Sequence, residues 1–145
     1  MNNTEGSVAT SSEPHFTFAL LHAAQIVGDK LEEALNELGL SMAKQSALTK
    51  LCEAGGPLTL SDLAARLSCV RSNITQLVDR LEADGLVRRI DDASDRRSVR
   101  AELTSVGVEK QKSGAAAISR VQGQLADRLS VTDLSALEGA LGAFG

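Results

Sequence analysis

The stretch LVDRLEADGLVRRIDDASDRRSVRAEL, residues 77–103, changes its hydrophobic period partway along, and that change decides the fold. With Val70 and Ile74 before it, the first part steps by three and four, and Leu77, Val78 and Leu81 form the inner face of a helix that Gly85 closes. Beyond Gly85 the step is two. Leu86, Arg88 and Ile90 alternate with Val87 and Arg89, and Val99, Ala101 and Leu103 alternate with Ser98, Arg100 and Glu102. Asp91 to Arg97 between them is polar apart from Ala93. Two alternating segments around a polar tip predict a β-hairpin.

Upstream, Thr59 opens another helix, with Thr59-x-x-Asp62 at capping-box spacing and Leu60, Leu63, Ala64 and Leu67 as its stripe. Ser68-Cys69 leaves room only for a turn before the next helix. Helix, tight turn, helix, hairpin is the order of a winged helix-turn-helix, in which the second helix projects its outer face from a rigid base. The expected fold class is mainly α with a small β-hairpin wing (α+β).

The flanks are helical. Phe16, Leu20, Ala23, Val27, Leu31, Ala34 and Leu38 keep helical steps up to Gly39. A second helix starts at Ser41 and stops at Gly55-Gly56-Pro57. Thr104 caps a long segment with Ile118, Val121, Leu125 and Leu129 in its stripe, and Gly107, Gly114 and Gly123 within it predict a bend or a close helix contact. Ser130 or Thr132 starts a last helix, with Leu134, Leu137, Leu141 and Phe144 expected inward. Residues 1–13 read as a mobile tail and residues 14–145 as a single domain.

Composition narrows the function. The chain has 145 residues, 43% of them hydrophobic but only 2% aromatic, so Leu, Val, Ile and Ala must build the core. No run approaches the ~18 apolar residues that would span a membrane. The polar start lacks the apolar h-region of a secretory signal, and two cysteines make no disulfide scaffold, so a cytoplasmic location is expected. The net charge of −4 argues against nucleic acid only until it is located. Residues 57–100 hold eight Arg (66, 71, 80, 88, 89, 96, 97, 100) against seven acids, so the acidic excess lies at the two ends.

On the helix after the turn, Arg71, Ser72, Thr75, Gln76, Asp79 and Arg80 remain outward once the inward residues are subtracted. Arg, Ser, Thr and Gln hydrogen-bond base edges in a major groove, and Ser72 and Thr75 also suit phosphate oxygens. An ordinary solvated helix face has the same composition. The hairpin favours DNA: Arg96 and Arg97 sit at its tip, where a merely structural turn would favour Gly or Asn, and an arm carrying Arg suits the narrow, negative minor groove. Asp95 beside them can hold one guanidinium or screen it. Arg88 and Arg89 can touch phosphate, or ion-pair with Asp84 or Glu82.

Residues 77–88 (LVDRLEADGLVR), 91–97 (DDASDRR) and 103–107 (LTSVG) together resemble the MarR family of bacterial transcriptional regulators, whose members read LVDRLE..GLV.R, then DP.DRR, then LT..G, in this order and spacing. The resemblance implies an obligate homodimer, with residues 41–103 as the winged-helix lobe and residues 14–38 and 104–145 as interlocking dimerisation helices. It implies a pseudo-palindromic double-stranded DNA operator, with the reading helices in successive major grooves. It also implies that Arg97 enters the minor groove, that Asp95 orients it, and that a small, often aromatic or phenolic, ligand or a thiol switch releases DNA. Ala93 stands where the family usually has Pro, Val70 where Ser, Thr or Asp is common at the helix start, and Gln76 where Arg is frequent.

Cys69, near Arg66 and Arg71 at a helix start, reads either as a reactive thiol and redox sensor or as a small apolar filler of the turn. Cys52 reads as helix core. His15 and His22 share a helix face, and His22 is a candidate for a ligand pocket. Two His and two Cys without C-x-x-C or H-x-x-x-H spacing predict no metal site. No cofactor is expected. No phosphate-binding loop, dinucleotide fingerprint, H-E-x-x-H or G-x-S-x-G occurs, so the chain is not expected to be an enzyme.

Overall fold

The computed structural model describes residues 13–67, 73–95 and 98–144. The chain divides into two compact units, residues 1–30 and 31–145. Helix α1 runs Glu13–Asn36. In the first unit it exposes Phe16, Phe18, Leu21 and Ile26.

In the second unit Leu35 and Leu40 are buried on either side of the turn that ends α1, where Leu40 N–H donates to Leu35 C=O. Helix α2 (Met42–Ala54) starts where expected: the Ser41 hydroxyl accepts from the Lys44 N–H at 3.2 Å, taking one of the four amides a helix start leaves unpaired. Its Leu48 and Leu51 are buried, but Cys52 is exposed. The helical period there placed Cys52 one residue beyond the buried stripe, so the expectation of a core cysteine is corrected.

Strand β1 (Leu58–Thr59) leads directly into α3 (Leu60–Arg66), which Thr59 caps by accepting from Asp62 N–H at 3.0 Å. Helix α4 (Ile74–Ala83) begins later than the apolar period suggested. Asn73 is its N-cap, and its side-chain oxygen accepts from Thr75 N–H at 3.2 Å and Gln76 N–H at 3.4 Å. A side chain that takes the first-turn amides defines a helix start, however well Val70 continues the stripe upstream. At the other end Gly85 adopts φ 73, and the Leu86 and Gly85 amides close back onto the Leu81 and Glu82 carbonyls. Only Gly takes that conformation without a Cβ penalty.

Strands β2 (Val87–Asp91) and β3 (Val99–Leu103) pair antiparallel, with Arg89 opposite Ala101. The wing is more than a hairpin: β1 adds a third strand on the far side of β3, with Leu58 opposite Ala101. Leu63, Val78, Leu81, Leu86, Val87 and Ala101 join Leu48 and Leu51 in one core. Each fully buried Leu contributes about 1.5–3 kcal/mol.

Helix α5 (Ser105–Ala126) is about 33 Å long. Two of its three glycines are sites of close approach. A Cβ at Gly107 would lie 2.0 Å from the Leu86 carbonyl oxygen, and one at Gly114 would lie 2.0 Å from Gln45 Oε1; at Gly123 it would meet nothing within 4 Å. Helix α6 (Val131–Gly142) starts at its Ser130 cap. Leu134, Leu137, Leu141 and Phe144 are exposed rather than inward, at 41%, 39%, 49% and 91%. Their period marks an apolar face, and that face is left exposed. No helix among the described residues is long and apolar enough to cross a membrane.

Candidate nucleic-acid interface

Leu77, Val78 and Leu81 anchor α4 in the core, and this fixes which face the helix shows. Thr75, Gln76, Asp79 and Arg80 are exposed on it. The Asn73 cap occupies the backbone amides of Thr75 and Gln76 and leaves their side chains outward. Arg71 and Ser72, expected to share this face, lie outside the described residues, as do Cys69 and the wing-tip pair Arg96 and Arg97. Asp95 is exposed at the edge of the tip, and its carbonyl accepts from Ser98 N–H at 3.0 Å. His22 is exposed on α1, in the first unit. Among the described residues no group of three or more His, Cys, Asp or Glu is placed to hold a metal ion.

Charge pairing at the wing is dense. Arg88 Nε donates to Glu102 Oε2 at 2.6 Å, across directly opposed residues of β2 and β3. Arg100 Nη2 donates to Asp92 Oδ2 at 3.0 Å. Asp92 also receives Ser94 N–H at 3.0 Å and the Ser94 hydroxyl at 2.8 Å. These bonds favour the ionised form: the Ser94 amide, then its hydroxyl, then Arg100 hold the Asp92 carboxyl below its ordinary range.

Arg89 reaches back to α4. Its Nη2 donates to Asp79 Oδ1 at 2.5 Å and to the Thr75 carbonyl at 3.5 Å, its Nη1 to Glu82 Oε1 at 3.2 Å, and its backbone N–H to Glu82 Oε2 at 3.0 Å. The bond to Asp79 is the chief reason the guanidinium holds its proton even more tightly than usual; partial burial opposes it. Of the two roles open to Arg88 and Arg89 from sequence, both make ion pairs. Glu82 is a partner as expected, whereas Asp84 pairs with Lys44 at 2.7 Å.

Sequence reasoning missed the Asn73 cap and the Asp79 partner. The first was signalled by an Asn three residues before Gln76. The second had no local signal beyond an acid on an outward face.

A short helix, a second helix with an exposed polar face and a paired hairpin beside it define a winged-helix protein. The MarR family model matches residues 40–99. The chain is 30% identical to AbsC, a MarR family transcriptional regulator from Streptomyces coelicolor, whose crystal structure superposes with a TM-score of 0.77 over 94% of this chain and 93% of that one. The chain belongs to the MarR family. The fold is also that of a mutant MarR from E. coli complexed with operator DNA, at 23% identity and a TM-score of 0.77 over 94% of this chain and 98% of that one. By sequence, the HTH-type transcriptional regulator YsmB of Bacillus subtilis (strain 168) is 34% identical over 89 residues, 61% of this chain and 60% of that protein. The chain thus spans less than two thirds of that relative's length.

Proposed function

We propose that the chain is a transcriptional repressor that binds a pseudo-palindromic double-stranded DNA operator as a homodimer. The carrying observation is the exposed face of α4, where Thr75, Gln76 and Arg80 stand on a helix anchored by three buried apolar residues. Gln76 offers a bidentate donor–acceptor pair to a base edge, and Arg80 suits a base or a phosphate. Arg71 and Ser72 are assigned to the same groove, Arg97 to the minor groove with Asp95 orienting it, and Arg96 to the backbone.

A second copy supplies a cover for the apolar side chains left exposed on α6 and, separately, on the N-terminal part of α1. Release is assigned to a small aromatic or phenolic ligand, with His22 as a pocket residue. Oxidation of Cys69 is the alternative switch.

Fluorescence anisotropy on the DNA flanking the protein's own gene, against a scrambled duplex at two salt concentrations, tests the reading. About eight phosphate contacts per dimer predict a log–log salt slope of about −7 on the operator. Equal, weak binding to both duplexes, with and without reductant, overturns it. A dissociation that only an oxidant produces, and that Cys69→Ser abolishes, selects the thiol switch over the ligand.

A further inference from the structure

Two acids on a DNA-facing helix weaken its attraction to phosphate, yet Asp79 and Glu82 both stand on α4, and with Arg89 they form a group of net charge −1. They do so on either side of one guanidinium that belongs to β2. The Arg89 contacts run from the Thr75 carbonyl to Glu82, about two turns of α4. Both of its terminal nitrogens are engaged: Nη1 faces Glu82, and Nη2 faces Asp79 and Thr75. Its charge already faces two carboxylates, and its side chain is 28% exposed.

We propose that Arg89 is a positioning residue for DNA reading, one that ties the reading helix to the wing strand so that both enter the DNA as a single rigid element. This rests on the DNA-reading function proposed above. Thr75, whose carbonyl the guanidinium reaches, is itself one of the base-facing residues, so the clamp acts next to the contacts it positions. Ion pairs this exposed add little to global stability. Their effect falls instead on the angle between helix and wing, and hence on whether bases and backbone are met together. The clamp affects specific binding, which needs that registration, and leaves non-specific binding, which does not.

The competing role, a phosphate contact by Arg89, predicts the reverse. The test compares the full-length wild type with Arg89→Gln, Asp79→Asn and Arg89→Lys. The probes are a duplex that the wild type selects from a random library and a scrambled duplex, each over a salt series. Positioning predicts that Arg89→Gln and Asp79→Asn each lower the specific-to-scrambled ratio about tenfold. The salt slope on the scrambled duplex stays unchanged, and affinity for that duplex does not fall. The double variant should be no worse than either single one. Arg89→Lys should recover the ratio only in part, since an ammonium keeps the charge without the fork.

Asp79→Asn decides the sign. It removes a negative charge, so simple electrostatics predicts tighter binding to both duplexes, and that result overturns the proposal. Equally fatal is a scrambled-duplex slope that falls by about 0.9 per subunit in Arg89→Gln, the mark of a lost phosphate contact. Should Arg89→Gln fold poorly, Asp79→Asn carries the test. A wild type that selects no sequence overturns the DNA-reading function and this role with it. A wild type that selects strongly, beside variants that keep its ratio, overturns the positioning role alone.

Discussion

Gln45 on α2 occupies the space that a side chain at Gly114 on α5 would need. Its Oε1 lies 2.0 Å from where that Cβ would be, while its Nε2 donates to the Gln111 carbonyl of α5 at 3.0 Å. Gln45 is 2% exposed, and among the described residues its Oε1 accepts no hydrogen bond. One buried side chain therefore sets how closely two helices approach, using a glycine as its socket.

Gly114→Ala should destabilise the fold by up to about 2 kcal/mol: overpacking costs about 1–3 kcal/mol, and the better helix propensity of Ala returns about 1. Adding Gln45→Ala opens the space, so the double variant should lose less than the two singles summed. Denaturant titration of the four proteins checks this. Strict additivity would show that the two residues do not share the space.

Gly107→Ala should cost more, about 3 kcal/mol, because its obstacle is the Leu86 carbonyl oxygen and not the movable end of a side chain. A loss smaller than that of Gly114→Ala, measured in the same titration, contradicts the close approach of α5 to Leu86.

Thr104 makes two bonds with one hydroxyl. It accepts from Gly107 N–H at 3.0 Å and donates to the Gly85 carbonyl at 2.6 Å. Thr104→Val keeps the shape and loses both, with an expected cost of about 1–2 kcal/mol. Thr104→Ser should restore most of it. Equal thermal midpoints for wild type and Thr104→Val would refute the pairing.

The Asp92 carboxyl, held ionised by Ser94 and Arg100, makes the wing sensitive to acid. Its folded pKa is depressed. Its contribution is therefore complete above the ordinary carboxylate pKa of about 3.9 and disappears as pH falls through the lower folded value. The Ser94 amide resonance, followed by NMR, should titrate with a midpoint below 3.9. A midpoint above that value would mean the carboxylate is not held as described.

Gln76→Ala should relax base preference at one position of each half-site rather than weaken all sequences alike. Library selection with wild type and variant separates the two outcomes. A uniform loss would make Gln76 a phosphate contact.

Most of the fold was legible because its boundaries are local events. Ser41, Thr59, Thr104 and Ser130 cap helices within three residues of themselves, and Gly85 closes α4 within five. Strand β1 was not legible, since two residues are too few to show alternation and Leu58–Thr59 becomes a strand only through β3. The late start of α4 was misread because an apolar period says which residues share a face, not where a side chain breaks the backbone ladder. For the same reason the α6 stripe revealed an apolar face without revealing that its side chains stay exposed. At the interface, Thr75 and Gln76 were recoverable by subtracting the core. The Arg89 pair with Glu82 was one of the roles the sequence left open, but its bond to Asp79, ten residues away, depends on where the wing folds back, and no local rule reaches that far.

The Thr104 hydroxyl bond to Gly85, with Thr104 N–H donating to the Leu86 carbonyl at 3.1 Å, closes the wing at its base like a drawstring. Everything from Gly85 to Thr104 is then an excursion whose two ends are already joined, and lengthening a loop whose ends are pinned adds little entropic cost. The tip is thus a place where evolution or an engineer can insert or exchange residues without renegotiating the body beneath. A regulator built this way can change what its wing touches while its scaffold stays the same.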